Sequence, residues 1–265
     1  MIEELAQRLI DKSVQGKLTM PMLPEVAQKA MQLAQDPDSD SLSLANLIQS
    51  DQSLAAHVMR ISNSATYSPN GNIISLQQAI SRLGMNMIAE ITLTAALSAV
   101  RFKIKGFEST LDTIWQHALL SGLWSKEVAR KARKNVEAAY IGGLLHSIGK
   151  PVIIQALVNE NMNITPEQCL KVCELCFLQI GVDIAKHWKM PDQVVKAIQI
   201  QDSNELSDAV YIGSQFAMVN MTEDKDWDQL IGQDRLNSLN LYEEDVQDLI
   251  AKHEDIEAAK SAMMI

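Results

Sequence analysis

The side chains best equipped for chemistry are five histidines and three cysteines, and their spacing decides which could act together. Cys169, Cys173 and Cys176 in "CLKVCELC" recur at i, i+4 and i+7, which places them on one helix face. A tetrahedral metal needs converging thiolates, whereas seven residues of helix separate the outer two sulfurs by about 10 Å along the axis. They are expected to be small buried hydrophobes. His117 in "IWQHALLSG" shares a helical stripe with Ser121, Trp124 and Val128 at the edge of an apolar face. His146 in "GGLLHSIGK" follows Gly142 and Gly143 by one turn, and residues that small let a neighbouring helix come close. Two imidazoles alone hold a soft or borderline metal only weakly. Each is expected to be a buried, hydrogen-bonded histidine where helices cross.

Lys150 could meet a phosphate or another anion, but a lysine at a helix C-terminus complements the dipole, and that is its expected role. His57 and His187 are expected to be structural, the latter closing a helix before Pro191. Asn63 and Ser64 follow an apolar helix and precede the turn-rich "TYSPNG". Side-chain capping accounts for them, yet loops between rigid helices commonly carry recognition, so Asp51, Asn63, Ser64 and Tyr67 form a candidate recognition loop.

The elements that must position these residues read as helices throughout. Glycine and proline are scarce, at 11 and 7, and strand alternation is almost absent. In "LPEVAQKAMQLAQD" the apolar stripe falls on Val26, Ala30, Leu33 and Ala34. Two further apolar faces follow, Leu44, Leu47 and Ile48, then Leu54, Val58 and Ile61. Asn70-Gly71 would mark a hairpin only between strands, and none flanks it. Instead Ser75 with Gln78 makes a capping-box signal for a helix ending at Gly84, and an apolar helix runs from about 86 to 100. "RFKIKGFEST" reads as a connector. A long amphipathic helix then leads into "VEAAYIGGLLHSIGK", which Pro151 is expected to end or kink just after Lys150. Thr165-Pro166-Glu167-Gln168 is a strong helix start. After Met221 the chain turns acidic, and Val246, Leu249, Ile250, His253 and Ile256 form a stripe that packs on the body or on a partner.

The formal charge of −10 leaves no broad footprint for nucleic acid. The basic run from Ala129 to Lys134 is expected to be a solvated helix end. No basic n-region with an apolar h-region opens the sequence, and the apolar run at 87 to 100 is too short for a bilayer and carries Glu90. A cytoplasmic protein without membrane contact is expected.

Taken in order, "MPMLPEVAQKAMQLAQ", "IQSDQSL", "RISNSATYS" and "AISRLG" make the chain resemble the HDOD domain, a bacterial output module related to HD-type phosphohydrolases. The resemblance implies an all-α fold in which an N-terminal helical lobe, 17–103, packs on a degenerate HD-like helical lobe, 104–220. It leaves 221–265 as an acidic helical extension. It also implies a site. An active HD enzyme holds divalent metal with a histidine, a His-Asp pair and a later aspartate, so that the cation activates water and offsets charge on phosphate oxygens. His117 corresponds to the first histidine and His146 to the pair, with Ser147 in place of the aspartate. The histidine doublet of two-metal relatives falls near Gln201-Asp202, and the terminal aspartate near Gln215.

The remnant pocket implied is thus His117, His146, Ser147, Lys150, Asp202 and Gln215, with no catalytic residue expected. Only His117, His146 and Asp202 remain as metal ligands if any are. HDOD relatives are similar in such degeneration and are taken as non-catalytic signalling modules, so the resemblance implies regulation through signalling-protein partners without a cofactor. Two alternatives stay open. One is a metal-dependent phosphohydrolase of a nucleotide or phosphodiester, and the other is a sensor of a small anionic ligand in the remnant pocket.

Overall fold

A computed structural model describes residues 1–69, 72–99, 102, 104–160 and 164–264. The Asn70-Gly71 pair and part of the expected connector at 101–110 lie outside the described residues. In chain order the helices are α1 (Ile2–Val14), α2 (Glu25–Gln35), α3 (Ser41–Gln49), α4 (Gln52–Ser62), α5 (Leu76–Leu83) and α6 (Met85–Ala99). They continue with α7 (Glu108–Lys131), α8 (Val136–Leu145), α9 (Gly149–Asn159), α10 (Pro166–His187), α11 (Asp192–Ile198) and α12 (Glu205–Met221). A 3-10 turn at Trp227–Leu230 precedes α13 (Asp234–Ser238), α14 (Glu243–Ile250) and α15 (His253–Met263). Among the described residues there is no strand.

The chain divides into two compact units: a smaller one of residues 23–101 with 254–265, and a larger one of residues 1–22 with 102–253. These borders differ from a division at 103/104 and 220/221, because residues 221–253 are built into the larger unit. Leu230, Leu236, Leu239, Leu241, Val246 and Leu249 are all buried there. The acidic stripe expected as one helix is broken at Ala251–Lys252, where acids at Glu254 and Asp255 begin α15 afresh.

In the smaller unit local chemistry sets the helix starts. Asp40, Asp51 and Ser75 accept from the amides of Ser43, Leu54 and Gln78 at 2.7, 3.0 and 3.1 Å, each satisfying a donor that the first turn leaves unpaired. α6 is buried on nearly all sides, so Thr92 and Thr94 turn their hydroxyls back onto the carbonyls of Ile88 and Glu90. α2 packs against it through Ala27, Ala30 and Met31. Its buried stripe is turned from the expected one, leaving Val26, Leu33 and Ala34 half-buried.

The core of the larger unit is the crossing of α7, α8 and α12. Close approach there requires glycine. A Cβ on Gly143 would meet the Ser121 carbonyl and Ser125 Oγ at 2.6 Å, and one on Gly213 would meet Ser125 Oγ at 2.3 Å. Trp124 and Phe216 stack beside this crossing with centroids 4.7 Å apart, and Trp227 closes over Trp124 at 5.8 Å. Elsewhere α1 is fastened by Arg8 and Lys12, both 2.5 Å from the Glu160 carboxylate, and by Ser13 donating to Asp183 at 2.5 Å. The basic run is engaged: Arg130 pairs with Glu127, Lys131 with Asp248 at 2.6 Å, and Lys134 with Glu205 at 2.6 Å.

One expected helix is two. α8 stops at Leu145, residues 146–148 form a turn, and α9 starts at Gly149. Pro151 therefore lies in the first turn of α9, where its missing N–H costs no intrahelical bond, and it does not terminate a helix at Lys150. The span Val136–Asn159 has the length and hydropathy of a membrane helix, but it is broken here and mostly buried within the protein.

Candidate functional site

His146 opens the turn that separates α8 from α9, and Gly143 one turn earlier lets α7 close over it. The imidazole is 3% exposed, and its Nδ1–H donates to the Gly143 carbonyl at 2.6 Å. His117, half-buried on α7, donates from Nε2 to the Ser214 carbonyl of α12 at 3.3 Å. Carbonyls only accept, so these bonds fix both tautomers and leave one lone pair per ring, on His146 Nε2 and His117 Nδ1. The rings meet edge to face with centroids 5.3 Å apart.

Burial is the main force on their protonation. It pushes His146 down to about 3, with the His117 and Lys150 charges adding to the shift, and it lowers His117 with help from Lys150. Lys150 is in the first turn of α9, where a lysine opposes the helix dipole rather than complementing it. Its ammonium is compensated otherwise, by Glu174 Oε1 at 2.8 Å and by the Phe177 ring, 4.5 Å to the centroid.

The structure thus brings together His117, His146, Ser147 and Lys150 of the residues singled out in the sequence. Ser147 is 2% exposed, and its hydroxyl is buried without a hydrogen-bond partner. Asp202 is apart, on an exposed turn between α11 and α12, where its carboxylate accepts from Gln199 Nε2 at 3.5 Å. Gln215 follows Ser214 on α12 and is half-buried. His187 ends α10 as expected, while Cys169, Cys173 and Cys176 are free and buried on its inner face.

A divalent metal of the HD type does not fit this donor set. Among the described residues no group of three or more His, Cys, Asp and Glu side chains converges as ligands would. Each imidazole keeps one lone pair, but two neutral nitrogens are too few ligands, and no carboxylate joins them to balance a dication. The Lys150 charge that disfavours a proton on either ring disfavours a cation for the same reason.

The buried carboxylate of the larger unit is one that the sequence did not reveal. Asp208 on α12 is 1% exposed and accepts from Ser203 Oγ at 2.9 Å and Ser238 Oγ at 2.6 Å, with Arg235 Nη1 3.3 Å away. It fastens α13 to α12 and is spent on structure. Asn63 is likewise committed. Its side chain donates to the carbonyls of Met59 and Ile73 and accepts from the Ile73 amide at 2.8 Å, which closes the loop after α4. Asp51 caps α4, and Tyr67 is half-buried, its hydroxyl raised in pKa by burial and by the Glu90 charge.

This all-helical chain belongs to the HDOD domain family, which matches residues 20–204. It is similar over 99% of both chains, with a TM-score of 0.78 and 19% identity, to a Shewanella amazonensis SB2B protein provisionally named a metal-dependent phosphohydrolase. It is also similar to an HDOD domain protein of unknown function from Geobacter sulfurreducens, with a TM-score of 0.72, 20% identity and coverage of 98% and 96%. A protein from Marinobacter aquaeolei VT8, provisionally named for signal transduction, gives a TM-score of 0.66 at 23% identity; the match covers 100% of this chain and 66% of that one. At these identities the likeness establishes the fold. An uncharacterized protein of Treponema pallidum (strain Nichols) is 21% identical over 217 residues, 77% of this chain, which spans 42% of that relative's length.

Proposed function

We propose that this chain is a non-catalytic regulatory module of the bacterial cytoplasm that acts through protein partners, and that hydrolysis has been lost from its larger unit. The observation that carries the reading is His146: buried, neutral and bonded to Gly143, beside a serine hydroxyl and a lysine where phosphoryl hydrolysis needs carboxylates and a cation. What these residues do is pack, fix two tautomers and hold the α8–α9 turn against α7 and α12. The net charge of −10 and the pairing of the basic run with acids argue for protein partners over nucleic acid. The description of the Marinobacter relative points the same way.

A small-anion sensor is supported less well, since the nearby ammonium is already engaged by Glu174 and Phe177. The test is a panel of nucleotides and phosphodiesters with added Mn²⁺. No turnover above buffer, and no difference between the protein and His146→Ala, is expected. Turnover that vanishes in His146→Ala overturns the reading.

A further inference from the structure

The functional reading assigns no role to the outer face of α12 or to the turn that follows it. Met218 and Met221 stand one turn apart there, 58% and 37% exposed. Leu170 and Leu175, another exposed apolar pair on one helix, lie about 140° apart around α10 and share no face. Past Met221 the chain continues into Glu223, Asp224, Asp226 and Asp228, all exposed. Trp227 turns inward, its ring 5.8 Å from Trp124 and 5.9 Å from Phe216, so the 3-10 turn is pinned to the larger unit and holds these acids in place beside α12. Elsewhere in this unit acids are engaged: Glu160 by Arg8 and Lys12, Glu174 by Lys150, and Glu205 by Lys134. Among the described residues the four carboxylates of 223–228 make no ion pair. The C-terminal end of the α12 dipole adds to their negative field. This face also lies beyond residues 20–204, the part that matches the family.

We infer that it is a docking site for a cationic amphipathic helix of a signalling protein, whose apolar side chains pack on Met218 and Met221 while its lysines or arginines meet the acids of 223–228. Methionine is unbranched and polarizable, which suits it to a partner's irregular apolar face. Charge selects this occupant. A second copy would set the same acids against one another, and its basic run is not free to meet them, since Lys131 and Lys134 are paired within the chain. Anionic lipid or nucleic acid would bring phosphates to carboxylates. The inference rests on the regulatory reading and names the chemistry of the partner.

The probe is a fluorescent amphipathic peptide of leucine and lysine at helical spacing, titrated by anisotropy against the full chain. Saturable binding is expected, weakened at least about ten-fold by Glu223→Lys/Asp224→Lys. Met218→Asp/Met221→Asp is expected to weaken it as much although it makes the protein more acidic, so that loss reports on apolar contact. Glu3→Lys/Glu4→Lys changes the net charge equally on α1 and is expected to shift the affinity by no more than about two-fold. Absence of saturable binding, an undiminished affinity in the methionine variant, or an equal loss in the α1 variant overturns the inference. So does a dimer of the unaltered chain, or its binding to phosphatidylglycerol vesicles, that Met218→Asp/Met221→Asp abolishes. A variant that loses its cooperative melt is replaced by Met218→Gln/Met221→Gln or Glu223→Gln/Asp224→Gln under the same criteria. Peptide binding reports on this face alone, whereas metal-dependent turnover bears only on the functional reading, so the two fail separately.

Discussion

His117 and His146 face each other edge to face at 5.3 Å between centroids, and each gives a ring proton to a backbone carbonyl, of Ser214 and Gly143 respectively. The pair ties three helices together through neutral rings. Its consequences for stability are measurable without any assumption about ligands.

Acid should unfold the protein partly through this pair. An unfolded histidine titrates near 6.5, whereas burial holds His146 at about 3 and lowers His117, so between those pH values the unfolded state binds the extra protons. Stability is therefore present above about pH 6.5 and falls as pH drops toward 3, by up to about 1.4 kcal/mol per pH unit per fully buried ring. Urea midpoints measured from pH 7 to 5 should decline, and the decline should be shallower in His146→Gln. Equal slopes would refute the assignment.

Restoring an aspartate at Ser147 should harm the fold. The hydroxyl is buried and unpartnered, so Ser147→Asp buries a carboxylate at a position where the serine finds no hydrogen-bond partner. A loss of about 2–4 kcal/mol at neutral pH is expected in chemical denaturation. An unchanged or raised midpoint would show that the junction still accommodates a ligand carboxylate.

Glycine at the helix crossings should be irreplaceable where the neighbour is backbone. Gly143→Ala drives its Cβ to 2.6 Å from the Ser121 carbonyl, and Gly149→Ala to 2.2 Å from that of Phe177. Each should cost about 2–3 kcal/mol. Gly181→Ala, whose nearest neighbour is at 3.6 Å, should be neutral or stabilising by up to about 1 kcal/mol. Thermal melts of the three variants decide it, and a tolerated Gly143→Ala would contradict the packing.

Asp208 should prove structural. Asp208→Ala removes the acceptor that Ser203 and Ser238 share and the ion pair of Arg235, and should cost about 3 kcal/mol, with faster proteolysis of residues 222–250 as they lose their hold on α12. Proteolysis that spares this segment would speak against the fastening.

The sequence made legible whatever depends on near neighbours. The Thr165-Gln168 box forms as its spacing requires, because the groups that satisfy each other sit within one turn; at Ser75 only the cap on the Gln78 amide forms, and the Gln78 side chain accepts from the Ile74 amide instead of closing the box. The break at 146–148 was not legible: apolar spacing runs through "LLHSIGKPV" without interruption, and proline serves a helix start as well as a stop. Once that break is missed, Lys150 falls at the wrong end of a helix. Of the site, the two histidines could be picked from their setting, but the carbonyls that hold them belong to Gly143 and to Ser214, and the latter is 97 residues from His117. Nothing in "NELSDAV" distinguishes Asp208, since two of its three partners, Arg235 and Ser238, lie 27 and 30 residues further on.

The central claim, that the larger unit no longer supports metal chemistry, is met most directly by titrating metal-stripped protein with Mn²⁺ in a calorimeter while following its melting temperature. The donor set predicts no stoichiometric binding and no rise in melting temperature at millimolar metal, for the protein and for His146→Ala alike. One ion bound per chain, with a higher melting temperature that His146→Ala abolishes, would contradict it.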